Sequence, residues 1–275
     1  DLSHFHALFL SRLKQEHPVI DINYYDLDRS FLPVLPEEGP RPSGPPCPLV
    51  IEEPPFILVQ PWVQWRAEEL PSRALLIKTP SNAYRLPFLQ ALFPFSRFRI
   101  LHLTRNPAAS INGMLDGWRH RGFHSHYVGD DLQIQDFSHS ENLDSGWWKF
   151  DLPPGWRTAS KTTLEQVCAF QWRSAQQSIL EFARETGVDY LQVRFEDIAN
   201  SLTAHGSMPF MVREWLGCGE LLGETTRFAL PVMATQAPRP GRWRERATML
   251  NDVLQTDSIR QLCRDLGYED QREWI

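Results

Sequence analysis

Two cations in this chain close short apolar runs and are each followed by a proline turn. Lys78 follows Ala74-Leu75-Leu76-Ile77 and leads into Thr79-Pro80-Ser81-Asn82. Arg105 follows Phe98-Arg99-Ile100-Leu101-His102-Leu103 and leads into Asn106-Pro107-Ala108-Ala109-Ser110. Runs of this kind suit buried strands, and a proline near the first helical position pre-sets the backbone for a helix. A cation at a strand end beside a helix N-terminus prepares an anion site, because orphan backbone N–H groups and the helix dipole add to its charge. One such residue alone reads most simply as a solvated surface cation. The repeat of one design at two strand ends favours a shared electropositive edge.

The elements that must position these cations follow from spacing. Tyr84 to Phe93 carries Leu86, Leu89, Leu92 and Phe93 at helical intervals and ends at Pro94. Strand, helix and strand in about 30 residues predict a βαβ unit, with neighbouring parallel strands and a right-handed crossover. Lys161 to Thr186 is the strongest helix pattern: Leu164, Cys168, Trp172, Ala175, Ile179 and Phe182 form one apolar stripe. Thr162 with Glu165 reads as its capping box, and Gly187 as its C-terminal cap. Tyr190 to Phe195 is a third strand candidate. The expected fold is α/β, a parallel sheet flanked by helices, with ligands at the carboxyl ends of strands. Asp1 to Arg29 begins as a helix on Phe5, Leu8, Phe9 and Leu13, and residues 32–55 form a proline-crowded surface excursion.

Composition bounds the function classes. The chain has 275 residues, 42% hydrophobic and 12% aromatic, which excludes disorder as the dominant state and suits a single domain over 1–275. A net charge of −6 argues against general nucleic-acid binding. No run of about 18 apolar residues spans a bilayer. The four cysteines (Cys47, Cys168, Cys218, Cys263) lie far apart, in neither a zinc nor a disulfide pattern. With no glycosylation sequon and no secretory signal pattern, a cytoplasmic location is expected.

Other residues invite chemistry less specifically. Trp118 to Tyr127 contains His124 and His126, and a histidine is the usual general base near neutral pH. No third ligand signals a metal, and His124 is the base candidate. Glu52 and Glu53 are carboxylate alternatives. Ser145 to Trp156 is rich in tryptophan without helical or strand period; it reads as a loop packed on the core or as a wall for an apolar acceptor. Arg239-Pro240-Gly241-Arg242-Trp243-Arg244, with Arg246 beyond it, is a basic cluster in an acidic chain. It is a surface turn with its tryptophan packed back, or an anion clamp.

The segment ALLIKTPSNAYRLPFLQALFPFSRFRILHLTRNPAASINGM resembles the central part of the sulfotransferase superfamily. The shared pattern is a K-x-P turn, a helix with L-x-x-L…F-P, and a strand ending in an Arg-led R-[DN]-P turn. Val193-Arg194-Phe195-Glu196-Asp197 is similar to that family's late strand, and 239–244 to its C-terminal Gly-x-Trp-basic loop. The likeness covers roughly residues 70–120 well and 160–250 thinly. It implies a P-loop-NTPase-like sulfotransferase fold and transfer of a sulfonyl group from 3′-phosphoadenosine-5′-phosphosulfate, without a metal.

Carried across, the resemblance gives Arg105 and Ser110 to the 3′-phosphate, with the loop of Arg239, Gly241, Arg242, Trp243 and Arg244 closing over it. It gives Lys78 to the transferring sulfonyl group. The implied acceptor is a hydroxyl or amine of a small molecule, lipid, sugar or carrier-tethered chain. Two departures stand out. The family's further phosphate-binding serine, eight residues after the arginine, is Gly113 here. The phosphosulfate loop G-x-P-R-[ST]-G-[ST] does not occur, and is expected upstream of Asp1 or lost. A P-loop phosphotransferase would need G-x-x-x-x-G-K-[ST] and acidic magnesium ligands, and neither is seen. A non-catalytic relative binding a nucleotide or protein is the remaining alternative.

Overall fold

The computed structural model describes residues 76–119, 125–129, 132–135, 137, 146–205, 210–217 and 239–274. A 3-10 turn (Pro80–Tyr84) leads into α1 (Leu86–Leu92), β1 (Arg99–Thr104) and α2 (Pro107–Arg119). Then come β2 (Ser125–Tyr127), β3 (Trp147–Lys149), α3 (Trp156–Ala159), α4 (Leu164–Thr186) and β4 (Asp189–Arg194). α5 (Phe195–His205) and α6 (Phe210–Leu216) follow, then a 3-10 turn (Arg242–Arg246), α7 (Ala247–Leu254), α8 (Asp257–Asp265) and a last 3-10 turn (Gln271–Glu273). The opening helix, the excursion 32–55, Ala74, Leu75 and His124 lie outside the described residues.

The architecture is mixed α/β, a small parallel sheet flanked by helices. β1 pairs in parallel with β4, from Arg99 opposite Asp189 to Thr104 opposite Arg194. This corrects the expected neighbour. Leu76 and Ile77, the described end of the run before Lys78, lie in no strand and are exposed. A long apolar stripe is needed to carry a parallel partner back, and α4 supplies it immediately before β4. β4 ends at Arg194, and Phe195 already opens α5.

α4 forms where the periodicity placed it, and its cap slips by one residue. The Thr163 N–H donates to Gln166 Oε1 at 3.2 Å, while the Thr162 hydroxyl turns back to the Ala159 carbonyl at 2.7 Å. Gly187 ends the helix at φ +63, a left-handed backbone that glycine enters without a Cβ penalty. The stripe buries Val167, Cys168 and Trp172 against Ile111, Leu115 and Trp118 of α2 and Leu250 and Leu262 of α7 and α8. Farther along, Phe182 closes a smaller cluster with Leu86 and Ile100.

The tryptophan stretch holds a strand that its sequence did not announce. β3 pairs antiparallel with β2, placing His126 opposite Trp148. Two-period alternation cannot show in three residues, so the strand is set by its partner. Trp148 and Trp156 are buried, and the rings of Trp118, Trp148 and Trp156 meet edge to face. The core reading of this stretch holds for those two tryptophans.

β1 turns Ile100, His102 and Thr104 inward. A buried histidine needs partners for both ring nitrogens. With Gln176 presenting Oε1 at 2.7 Å, Nε2–H donates, and Nδ1 accepts from the Tyr190 hydroxyl at 2.8 Å. Burial pushes the His102 pKa down to about 4, against the opposing pull of the Gln176 hydrogen bond.

Candidate anion-binding site

Arg105 stands one residue beyond β1 and two before α2, held by its backbone. Its carbonyl accepts from Trp172 Nε1 of α4 at 3.3 Å and from the Ser110 hydroxyl at 3.5 Å. Its guanidinium lies 4.8 Å over the Phe195 ring, and the residue is exposed. Crowding by protein lowers the Arg105 pKa; the Glu196 carboxylate opposes this, and the Arg242 guanidinium adds to it.

The turn between β1 and α2 is built around a buried carboxylate. Glu196, 2% exposed, accepts from the Asn106 N–H at 3.0 Å and from Asn106 Nδ2 at 2.7 Å. Its other oxygen accepts from the Tyr268 hydroxyl at 2.9 Å, and the Thr104 hydroxyl lies 3.1 Å from the same phenol oxygen. Burial raises the Tyr268 pKa well above its ordinary value, keeping that hydroxyl a donor. Asn106 Oδ1 accepts from the Ala109 N–H at 2.8 Å, capping α2 with Pro107 at its first position. Two donors at this helix end, the Asn106 and Ala109 amides, thus have partners inside the chain. What the rim offers outward is the Arg105 guanidinium beside Ser110.

The C-terminal basic loop reaches the same helix. Asp116 of α2, 7% exposed, pairs with Arg242 at 2.5 Å and Arg246 at 2.7 Å. Arg246 also donates to Asn112 Oδ1 at 2.9 Å. Arg239 pairs with Glu245. Arg244 donates to the Trp274 carbonyl at 3.5 Å and lies 4.9 Å over the Trp243 ring. Trp243 is buried edge to face against Trp274. Gly241, at φ +67, leaves room where a Cβ would collide with the Arg244 guanidinium. The loop is knitted to the protein by its own cations.

Lys78 is exposed in a turn of different construction. Thr79 makes no side-chain cap for the 3-10 turn that follows. That turn is anchored by the Ser81 hydroxyl, which donates to Asp151 Oδ1 at 2.9 Å, and by Ser178 of α4, which donates to the Ala83 carbonyl at 2.6 Å. The Asp151 carbonyl in turn accepts from Gln171 of α4 at 3.0 Å. The Arg105 turn is thus bonded to α4 directly through Trp172, and the Lys78 turn directly through Ser178 and indirectly, by way of Asp151, through Gln171.

Asn106, Asp116 and Tyr268 do not stand out in the sequence as site residues. The Asn-Pro pair carries a readable cap signal for Asn106; nothing local marks the other two. Among the described residues no group of three histidine, cysteine or acidic side chains is placed to hold a metal ion, and no helix is long and apolar enough to cross a membrane. No protein-family model, characterised protein or solved structure matches this chain.

Proposed function

We propose that this chain is a sulfotransferase that moves a sulfonyl group from 3′-phosphoadenosine-5′-phosphosulfate to a hydroxyl or amine of a small-molecule, lipid, sugar or carrier-bound acceptor. One observation carries the reading: an exposed Arg105 guanidinium stands where β1 gives way to α2, with Ser110 hydrogen-bonded to its carbonyl. In this reading the α/β architecture is a sulfotransferase fold of the P-loop-NTPase-like kind.

The described rim suits one end of such a donor. Arg105 and Ser110 would hold the 3′-phosphate, the planar fork of Arg105 matching two phosphate oxygens. Arg242, tied to Asp116, would add positive charge from the C-terminal loop. Arg239, Gly241, Trp243 and Arg244 keep the loop in place around it. The bound donor supplies an activated sulfonyl group on a phosphate leaving oxygen. Lys78 sets an ammonium against the charge that develops on that oxygen, stabilising the transition state more than the ground state. His124 takes the acceptor's proton in this scheme.

Isothermal titration of the full chain with 3′-phosphoadenosine-5′-phosphate should give saturable one-to-one binding. Transfer of label from donor to a panel of phenols, alcohols and amines should then be detectable, with kcat falling about 10²-fold in Lys78→Ala. No binding of the nucleotide overturns the proposal. Binding without transfer to any acceptor would favour a non-catalytic relative, the reading to which the internally paired arginines of the C-terminal loop lend weight. Preference for a nucleoside triphosphate with magnesium would indicate a phosphotransferase.

A further inference from the structure

A second face of α4 borders a half-open cavity of about 350 Å³, in the size range of small-molecule sites. Phe170 and Arg173 of α4 form one wall, and Val253, Ser258 and Ile259 of α7 and α8 the other. The surface is mainly hydrocarbon, with one guanidinium in it.

That guanidinium is placed unlike the arginines that share a carboxylate elsewhere in the described residues. Arg242 and Arg246 share Asp116, and Arg97 and Arg99 share Asp189. Arg173 has no carboxylate at ion-pair distance among the described residues. Its Nη1 donates to Ser258 Oγ at 3.3 Å, its Cζ lies 5.8 Å from the Phe170 ring centroid, and its buried Nε has no hydrogen-bond partner among the described residues. A guanidinium carries five donors in a fixed fork, and an unfilled donor away from water costs free energy until an acceptor arrives. Asp252 lines the cavity too but is exposed, so it adds negative charge at the solvent side.

We propose that this cavity binds a small monocarboxylate with an apolar body, its carboxylate on Arg173 and Ser258 and its body against Phe170, Val253 and Ile259. The single cation balances one negative charge, and Asp252 disfavours a second. Arg173 follows Trp172, whose indole holds the Arg105 carbonyl, so the cavity lies about 100° around α4 from the anion rim. The inference stands independently of the sulfotransferase reading.

The test is isothermal titration of the full chain with hexanoate, phenylacetate and 4-phenylbutyrate. At least one should bind saturably at one-to-one stoichiometry, and its matching alcohol at least about tenfold more weakly, the scale of one charge-assisted hydrogen bond. Arg173→Gln should weaken binding by a similar factor; Asp252→Asn should leave it unchanged or tighten it; Arg105→Ala should not alter it. Should Arg173→Gln fail to fold, Thr158→Trp serves instead: Thr158 is exposed on α3 and lines the cavity, so an indole there should block entry. No saturable binding of any of the three acids, equal binding of acid and alcohol, or undiminished binding in Arg173→Gln or Thr158→Trp overturns the proposal.

Discussion

The Lys78 and Arg105 turns are nearly twins in sequence, each a cation, one residue and a proline, yet they are different objects in three dimensions. Arg105 follows directly on a strand paired along its length with β4, and its next residue is Asn106, which caps a helix of 13 residues. Lys78 follows Leu76 and Ile77, which lie in no strand, its next residue is Thr79, and the 3-10 turn beyond it spans 5 residues. One buried carboxylate makes much of the difference. Glu196 fastens the backbone and side chain after Arg105 to the strand and to Tyr268, whereas the Lys78 turn hangs on the part-buried Ser81–Asp151 bond and on Ser178. A cation can be precise only where its backbone is held, so the Arg105 turn is suited to fixed recognition of an anion.

The largest test of this contrast removes the fastening. Glu196→Ala removes the buried carboxylate that accepts from the Asn106 N–H, from Asn106 Nδ2 and from the Tyr268 hydroxyl, and should cost about 3 kcal/mol or more of stability. Ser81→Ala, the parallel change at the other turn, should cost under about 1 kcal/mol. Urea midpoints measure both, and equal losses would erase the distinction.

A pH series reaches the same strand from beneath. The folded His102 pKa of about 4 lies below its ordinary 6.5, so between those values the unfolded chain binds a proton that the native chain does not. Stability is complete above about pH 6.5 and declines as pH falls toward 4. Each tenfold difference in proton affinity between the two states is worth ~1.4 kcal/mol, so the loss approaches roughly 3 kcal/mol. His102→Gln keeps a donor and an acceptor and should flatten the slope of urea midpoint against pH across that window. An unchanged slope would assign the dependence elsewhere.

Legibility in the sequence followed the reach of each interaction. α4 could be read because its stripe and Gly187 are signals within one helix, and β1 because Phe98, Ile100, Leu101 and Leu103 crowd one short run. The one-residue slip of the cap was hidden because adjacent threonines compete, and only the backbone decides which hydroxyl turns back. The partner of β1 was hidden because parallel pairing is non-local: the nearest apolar run looks adequate, and α4 carries a better one. The basic loop looks like a clamp because Asp116 sits in a helix with nothing nearby to show that Arg242 and Arg246 close on it. Tyr268 under Glu196 is illegible for the same reason.

Ligand affinity should separate the twin turns by a smaller margin than stability does. Arg105→Ala is expected to weaken 3′-phosphoadenosine-5′-phosphate binding at least about tenfold, the scale of a lost charge-assisted contact. Its cost to the fold should stay below about 1 kcal/mol, since the guanidinium contributes one cation–π contact with Phe195. Lys78→Ala should leave nucleotide affinity near that of the unaltered chain, its effect falling on transfer. Matching affinity losses in the two variants would mean that both turns bind the nucleotide. Unfolding of Arg105→Ala would make Arg105 structural.

The smallest predicted effect addresses what the Arg105 turn lacks. Gly113 lies in α2 three residues after Ser110, on the same helical face, and a Cβ there meets nothing within 4 Å. Both alanine and serine should therefore fit and relieve the entropic cost of an interior helical glycine, alanine by about 1 kcal/mol and serine by roughly half that. Only serine adds a hydroxyl beside Ser110. If that face looks onto the bound 3′-phosphate, Gly113→Ser should tighten nucleotide binding while Gly113→Ala raises thermal stability alone. Equal affinities in the two variants would show that the face points away from the anion, and would detach Ser110 from the site while leaving Arg105 in it.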